Sequence, residues 1–402
     1  MKYILIVPDG MADEPVEELG GKTPLEAAHT ANMDYLAQNG FIGQVQPTPE
    51  GMQPSSDVAN MAILGYDPRQ YHTGRACIEA ANLGINLADN EIAFRCNLTT
   101  VSEGKMADHS AGHITTKEAG VFIALLNKKL GNPDVRFYTG TGYRHILVLK
   151  APDPKSLMSV AVTPPHDILG QEVNKFLPKG KGSALLLDLM QKSKDIFAGH
   201  EINKVRVDLK ENPATQIWLW GQGTKPFLPP FKEKHGLKGG IISAVDLVNG
   251  IGRLAGLEVI SVPGVTGYLD TNFTGKGEYA LKFLKKNDFV YVHIEAPDEA
   301  GHKGDVNAKV EAIENIDKHI VGTILNHFGK HEDVRILLLP DHPTPVKARA
   351  HTRAPVPFVM YGRGIDPDGA ETFSEKTAEE KGLKFGTAVA LLEHFLKKHL
   401  SG

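Results

Sequence analysis

The chain has 402 residues, 41% hydrophobic and 23% charged, with a formal net charge of −4. That length suits two or three domains and a sizeable core, and the balance gives no general attraction for nucleic acid or an anionic membrane surface. Two cysteines, Cys77 and Cys96, lack CxxC spacing, which excludes a disulfide scaffold and a thiolate zinc site and fits a reducing cytosol.

The first element is the apolar run Tyr3–Val7, a buried strand that meets Pro8-Asp9 at once. It is too short for a signal peptide or a membrane span, and no later run is long enough to span; the chain reads as cytoplasmic. From about Ile92 to Glu233 the segments shorten and glycine and proline interrupt them. Loops fall at Ala161–His166 and Lys179–Gly182, a helix is expected over Ser183–Phe197, and strands over Val205–Leu209 and Gln216–Trp220. This reads as a smaller α+β domain, 92–233, inserted into a discontinuous core domain, 1–91 and 234–402.

The core pattern then resumes. Buried strands are expected at Gly240–Ser243, Phe289–Ile294, Val334–Leu339 and Pro357–Tyr361, all rich in β-branched residues. Between them Ser243–Gly256 reads as a helix that Ser243 caps and Gly256 ends, with Leu247, Val248, Ile251 and Leu254 on one face. Asn307–Phe328 and Thr387–Leu400 repeat the helical spacing. Strands alternating with helices imply an α/β fold, a mostly parallel sheet with helices on both faces.

Acidic and imidazole side chains cluster at the ends of these strands. Asp9 follows the first, Asp298 and His302 follow Phe289–Ile294, Asp341 and His342 follow Val334–Leu339, and His351 lies in the next loop. In an open parallel sheet such loops gather on one edge. Singly, each has an ordinary explanation, as a turn former, helix cap or solvated residue. Together they suit metal. Asp298 and His302 share a helix face at four-residue spacing. The mixed carboxylate and imidazole set favours zinc or manganese, and it is too large for one tetrahedral ion and right for two roughly 4 Å apart. Ser56, in Ser55-Ser56-Asp57-Val58, has the ordinary reading of an N-cap. Beside a divalent cation at a helix N-terminus its hydroxyl becomes an alkoxide nucleophile facing an incoming phosphate.

Four segments carry a resemblance to a known family. They are Pro8-Asp9-Gly10-Met11-Ala12-Asp13, Ser55-Ser56-Asp57-Val58-Ala59-Asn60-Met61, Pro297-Asp298-Glu299-Ala300-Gly301-His302, and Asp341-His342-Pro343-Thr344-Pro345 followed by His351-Thr352. Over nearly its whole length the chain resembles the cofactor-independent phosphoglycerate mutases of the short archaeal-type class, within the alkaline phosphatase superfamily. The resemblance implies an alkaline-phosphatase-like core and an isomerase that interconverts 3- and 2-phosphoglycerate without bisphosphoglycerate.

It also implies residue roles. Asp9, Ser56, Asp341 and His342 hold one divalent ion, and Asp298, His302 and His351 the other, with manganese or zinc expected and cobalt or magnesium as alternatives. Ser56 carries the phosphoryl group while the inserted domain closes on the glycerate and excludes water. A phosphorylated carboxylate needs cationic partners. Arg75, Arg144, Lys225 and His166 are the candidates, with His113 as the proton shuttle between hydroxyl oxygens. Asp57 and Asn60 stand where the longer bacterial mutases have glutamate and histidine, and Lys303 where relatives often have an acidic or small residue. The competing readings are a phosphomonoester or phosphonate hydrolase, a phosphopentomutase-like enzyme, and a non-catalytic protein on the same scaffold. Oligomeric state is left open.

Overall fold

Lys2–Pro8 forms the middle of an eight-stranded sheet in a computed structural model that describes residues 1–329 and 333–397. Across the sheet the strands run Leu383–Phe385, Gly40–Val45, Val356–Gly362, Val334–Leu338, Lys2–Pro8, Phe289–Ile294, Gly239–Ile242 and Glu258–Val259. All are parallel except Val356–Gly362, which is antiparallel to both of its neighbours. The inner strands are apolar on both sides, because helices cover both faces. On one face Ile4, Ile6, Val290 and Val292 join a core with the helices Ala31–Gln38, Phe273–Leu284 and Val306–Ile316. On the other Tyr3 meets Phe395 edge-on at 5.7 Å, and Ile241 packs so close to Gly252 that an added Cβ would lie 2.6 Å from it. No helix among the described residues is long and apolar enough to cross a membrane.

The expected helix over Asn307–Phe328 is present, with a π turn at Asp317–Val321 between Val306–Ile316 and Gly322–Phe328. Ser243 does not cap the helix after its strand. That helix begins at Asp246, and Ser243 Oγ instead accepts the Val245 amide at 2.9 Å. The last helix is Ala388–Leu396, capped by Thr387; its expected extension to Leu400 lies outside the described residues.

By their internal contacts the residues fall into two units, Met1–His72 with Phe227–Gly402, and Thr73–Pro226. The second holds a five-stranded sheet among the described residues, with Glu91–Ser102 paired antiparallel to Lys105–Asp108, Arg144–Lys150 and Gln216–Thr224. It starts before residue 92 because the helix Arg75–Asn82 packs on this sheet. Gly74, at φ 128°, lets the chain pass the Gln222 carbonyl where a Cβ would stand 2.0 Å away. The expected strand Val205–Leu209 is instead part of the helix Glu201–Asp208. His200 caps it, and its inner face is polar: Asn203 donates to the Phe197 and Ala214 carbonyls, and Arg206 to those of Ala111, Gly112 and Asn212. The alternating Val205, Val207 and Leu209 that suggested a strand are exposed.

A buried ion pair ties the first unit together. Lys309, fully buried, donates to Asp13 Oδ2 at 2.7 Å and to the Thr344 carbonyl at 2.8 Å, and Asp13 also accepts the Val346 amide. Lys309→Met strands a buried carboxylate and should cost about 3–5 kcal/mol. Adding Asp13→Asn should restore much of it. Chemical denaturation of the two variants checks this; an unmoved midpoint for Lys309→Met contradicts it.

Candidate metal centre and nucleophile

Strand direction decides what meets at the site. Asp9, Asp298 and Asp341 each follow the carboxyl end of a parallel strand, at one edge of the sheet. Gly40–Val45 ends at the same edge and leads to the helix Ser56–Ile63. His351 comes before a strand, which in an all-parallel sheet would send it to the opposite edge. Because Val356–Gly362 runs antiparallel, its entry loop stays with the others.

The imidazoles converge through Nε2. His302 Nε2 lies 3.3 Å from Asp298 Oδ2, His351 Nε2 3.3 Å from Asp298 Oδ1, and the two Nε2 atoms 2.9 Å apart. Their Nδ1 atoms face the carbonyls of Arg349 at 3.0 Å and Pro54 at 3.1 Å. A carbonyl only accepts, so each Nδ1 carries a proton and each Nε2 lone pair points inward. Two such lone pairs this close need a proton or a cation between them. His342 stacks on His351 at 3.8 Å, with its Nε2 3.2 Å from Ser56 Oγ and 3.5 Å from both Asp9 Oδ1 and Asp341 Oδ2.

Charge says the same. Asp9, Asp298 and Asp341 are 1%, 6% and 0% exposed. Burial and repulsion from Asp341 and Asp298 hold Asp9 well above the usual carboxylate range. For Asp298, burial acts upward, but the bonds from His302 and His351 outweigh it and pull the group well down. His302 is pushed up to about 9 by its bond to Asp298. The buried oxygens of Asp9 and Asp341, within 4.8 Å of each other, would repel by about 3–4 kcal/mol when both are charged, several times the net worth of one hydrogen bond. Asp9 Oδ1 and His293 Nε2 are buried with no hydrogen-bond partner. The donors fall into two groups that fit metal, Asp298 with His342 and His351, and Asp9 with His293 and Asp341. These residues fit divalent cations.

Ser56 is the first residue of its helix; Ser55 is the N-cap and makes no side-chain capping bond. The Ser56 hydroxyl is therefore not spent on the helix. Asn60, one turn on and wholly buried, donates to the Ser56 carbonyl at 2.8 Å and to Asp341 Oδ2 at 2.7 Å, and accepts from Tyr291. It locks the serine helix to a carboxylate of the site.

Sequence reasoning missed His293. It was absorbed into the apolar strand Phe289–Ile294, yet Val290, Val292 and Ile294 face the opposite core. A lone polar residue near the carboxyl end of an otherwise apolar strand was the available signal.

In the second unit the structure gathers three expected substrate residues around a fourth that was not expected. Arg95, nearly buried, pairs with Glu79 at 2.9 Å and lies 4.0 Å above the Trp220 ring. Burial, opposed by Glu79 and reinforced by Arg75 and Arg144, lowers its guanidinium to about 10. His166 sits edge-on to Trp220 at 5.3 Å and to His109 at 6.1 Å, and burial lowers it. Lys225 instead pairs with exposed Asp89 at 2.9 Å. His113 is exposed, in a turn where it takes φ 51° and Asp108 accepts the Ser110 and Gly112 amides.

Comparison with known proteins adds a family. A family model described as 2,3-bisphosphoglycerate-independent phosphoglycerate mutase matches residues 37–203. A mutase of that name from Methanosarcina barkeri is 47% identical over 99% of this chain and 100% of its own length. One from Thermococcus kodakarensis is 36% identical over 95% of this chain and 93% of its own. A solved cofactor-independent phosphoglycerate mutase from Thermoplasma acidophilum has 27% identity and a TM-score of 0.67, with both chains fully covered.

Two outcomes follow from the geometry. Asn60→Ala frees a lobe of Asp341 and should weaken divalent-ion binding roughly ten- to a hundredfold, read by competition with a buffered chelator; unchanged affinity contradicts it. The His302 proton blocks its Nε2, so binding must expel it at any pH below about 9. Apparent affinity should rise with pH up to that point, with proton release seen by calorimetry in buffers of different ionisation enthalpy.

Proposed function

This chain belongs to the 2,3-bisphosphoglycerate-independent phosphoglycerate mutases, isomerases that interconvert the 3- and 2-phosphoglycerates, and from that premise we propose that Ser56 is its phosphoryl carrier. The observation that carries the assignment is the position of Ser56 Oγ. It opens a helix, is free of capping duty, and lies 3.2 Å from His342 Nε2 where the donor groups meet.

In this reading Asp9, Ser56, Asp341 and His342 would hold one divalent ion, manganese or zinc, and Asp298, His302 and His351 would hold another. Such ions, when bound, would lower the serine pKa and offset charge on the transferring oxygens. Ser56 Oγ attacks phosphorus of 3-phosphoglycerate, the bond to the C3 oxygen breaks, and phosphoserine and glycerate result. The 2-hydroxyl oxygen then attacks the phosphoserine, which returns Ser56 and releases 2-phosphoglycerate. One proton passes from the 2-hydroxyl to the C3 oxygen, and His113 is the proposed shuttle. Arg75, Arg144, His166 and Lys225 are the proposed substrate contacts. The grouping of the first three around Arg95 supports an anion-binding role for that face and extends it to Arg95.

Ser56→Ala should lose at least a thousandfold in turnover while keeping its fold and most of its metal. A coupled assay from both phosphoglycerates, with inorganic phosphate followed in parallel, checks the reaction. The expected result is isomer formation without phosphate release, abolished by chelator and restored by manganese or zinc. Stoichiometric phosphate release without the 2-isomer contradicts it.

A further inference from the structure

We propose that His293 is a ligand of the cation held by Asp9 and Asp341. The inference rests on the two-cation reading and adds a protein group to one of the ions.

The residue is held at two backbone points and one ring nitrogen. Its backbone lies in the strand Phe289–Ile294, paired with Val7 of the neighbouring strand. Its carbonyl accepts Lys276 Nζ at 2.7 Å, and that lysine is wholly buried. Its Nδ1 lies 3.2 Å from Ser243 Oγ, which already accepts the Val245 amide. The remaining ring nitrogen is aimed into the site. Nε2 is 3.0 Å from Asp9 Oδ2.

A packing histidine would use that contact as a hydrogen bond, and this one does not. Nε2 has no hydrogen-bond partner, and neither does Asp9 Oδ1. The side chain is 0% exposed, so bulk water does not satisfy it. When Nδ1 donates to Ser243 Oγ, Nε2 keeps its lone pair and faces a carboxylate oxygen. Two buried lone pairs at that distance repel unless a cation lies between them. Donor atoms of Asp9, His293 and Asp341 all come within 4.8 Å of one another, the spread that one ion spans.

The consequence is chemical. His342 Nε2 stands between the two donor groups, near Asp298 and 3.5 Å from both Asp9 Oδ1 and Asp341 Oδ2. With Ser56 and His342 on the Asp9 side, as the proposed function has them, that ion has five protein groups, one more than a tetrahedral structural zinc takes. The Asp9 ion then belongs to a class that tolerates five or six ligands, as manganese does. The Asp298 ion keeps a smaller set, so the two positions differ in selectivity.

The test uses the wild-type holoprotein, crystallised with zinc and located by anomalous scattering. The expected peak beside Asp9 and Asp341 lies about 2.1 Å from His293 Nε2. A peak at that position with Nε2 beyond about 3 Å overturns the ligand assignment and leaves the two-cation reading standing. No peak beside Asp9 overturns both. His293→Asn, in metal-buffered titrations with metal content measured directly, should weaken one of two binding events roughly ten- to a hundredfold. His351→Asn should weaken the other. Unchanged affinity in a folded His293→Asn protein also overturns the proposal, and if that variant does not fold the wild-type map still decides.

Discussion

The repulsion among three dry carboxylates governs this structure. Asp9, Asp298 and Asp341 are brought to one sheet edge by three adjacent parallel strands, and almost no water reaches them. Hydrogen bonds from Gly10, His342, Asn60 and Thr344 absorb part of the charge. They are too weak to absorb all of it. The imidazoles then arrive with Nε2 turned inward, and the proton that His302 holds against Asp298 is the one a bound cation would displace. Divalent cations would offset the charge that remains, and the rest of the unit holds the donors in place. Lys309 and Asp13 brace the loop beyond His342, and Asn60 ties Asp341 to the serine helix.

Function follows from the same constraint. In the proposed reading the Ser56 hydroxyl, set among metal donors at a helix N-terminus, would become nucleophilic on cation binding without a dedicated base. Helix amides and cations both favour an incoming phosphate. Family membership, through relatives aligned along nearly the full chain, makes this a mutase.

Much of this was legible in the sequence, for definite reasons. The core strands are continuous apolar runs because both faces are buried, and that pattern survives without knowledge of partners. Six polar residues stood out because they lie in the loops after those runs, and Ser56 because it sits where a helix begins. The place of His351 was less secure than it looked: it depended on one strand running antiparallel, and direction leaves no mark on composition. His293 was hidden because a single polar residue does not break an apolar run. Val205–Leu209 misled because its helix buries Asn203 and Arg206 and leaves the apolar residues outside, the reverse of the usual pattern. In the second unit Arg95 was invisible for the same reason as His293, a charged residue in an otherwise buried strand whose partners lie far along the chain.

The most direct measurement is chemical quench of the metal-loaded protein during turnover of 3-phosphoglycerate, followed by peptide mass spectrometry. The account predicts a phosphoryl group on Ser56, formed and lost at rates compatible with turnover, and absent after chelation. Turnover with no phosphorylated Ser56, or with the phosphoryl group on another residue, would contradict it.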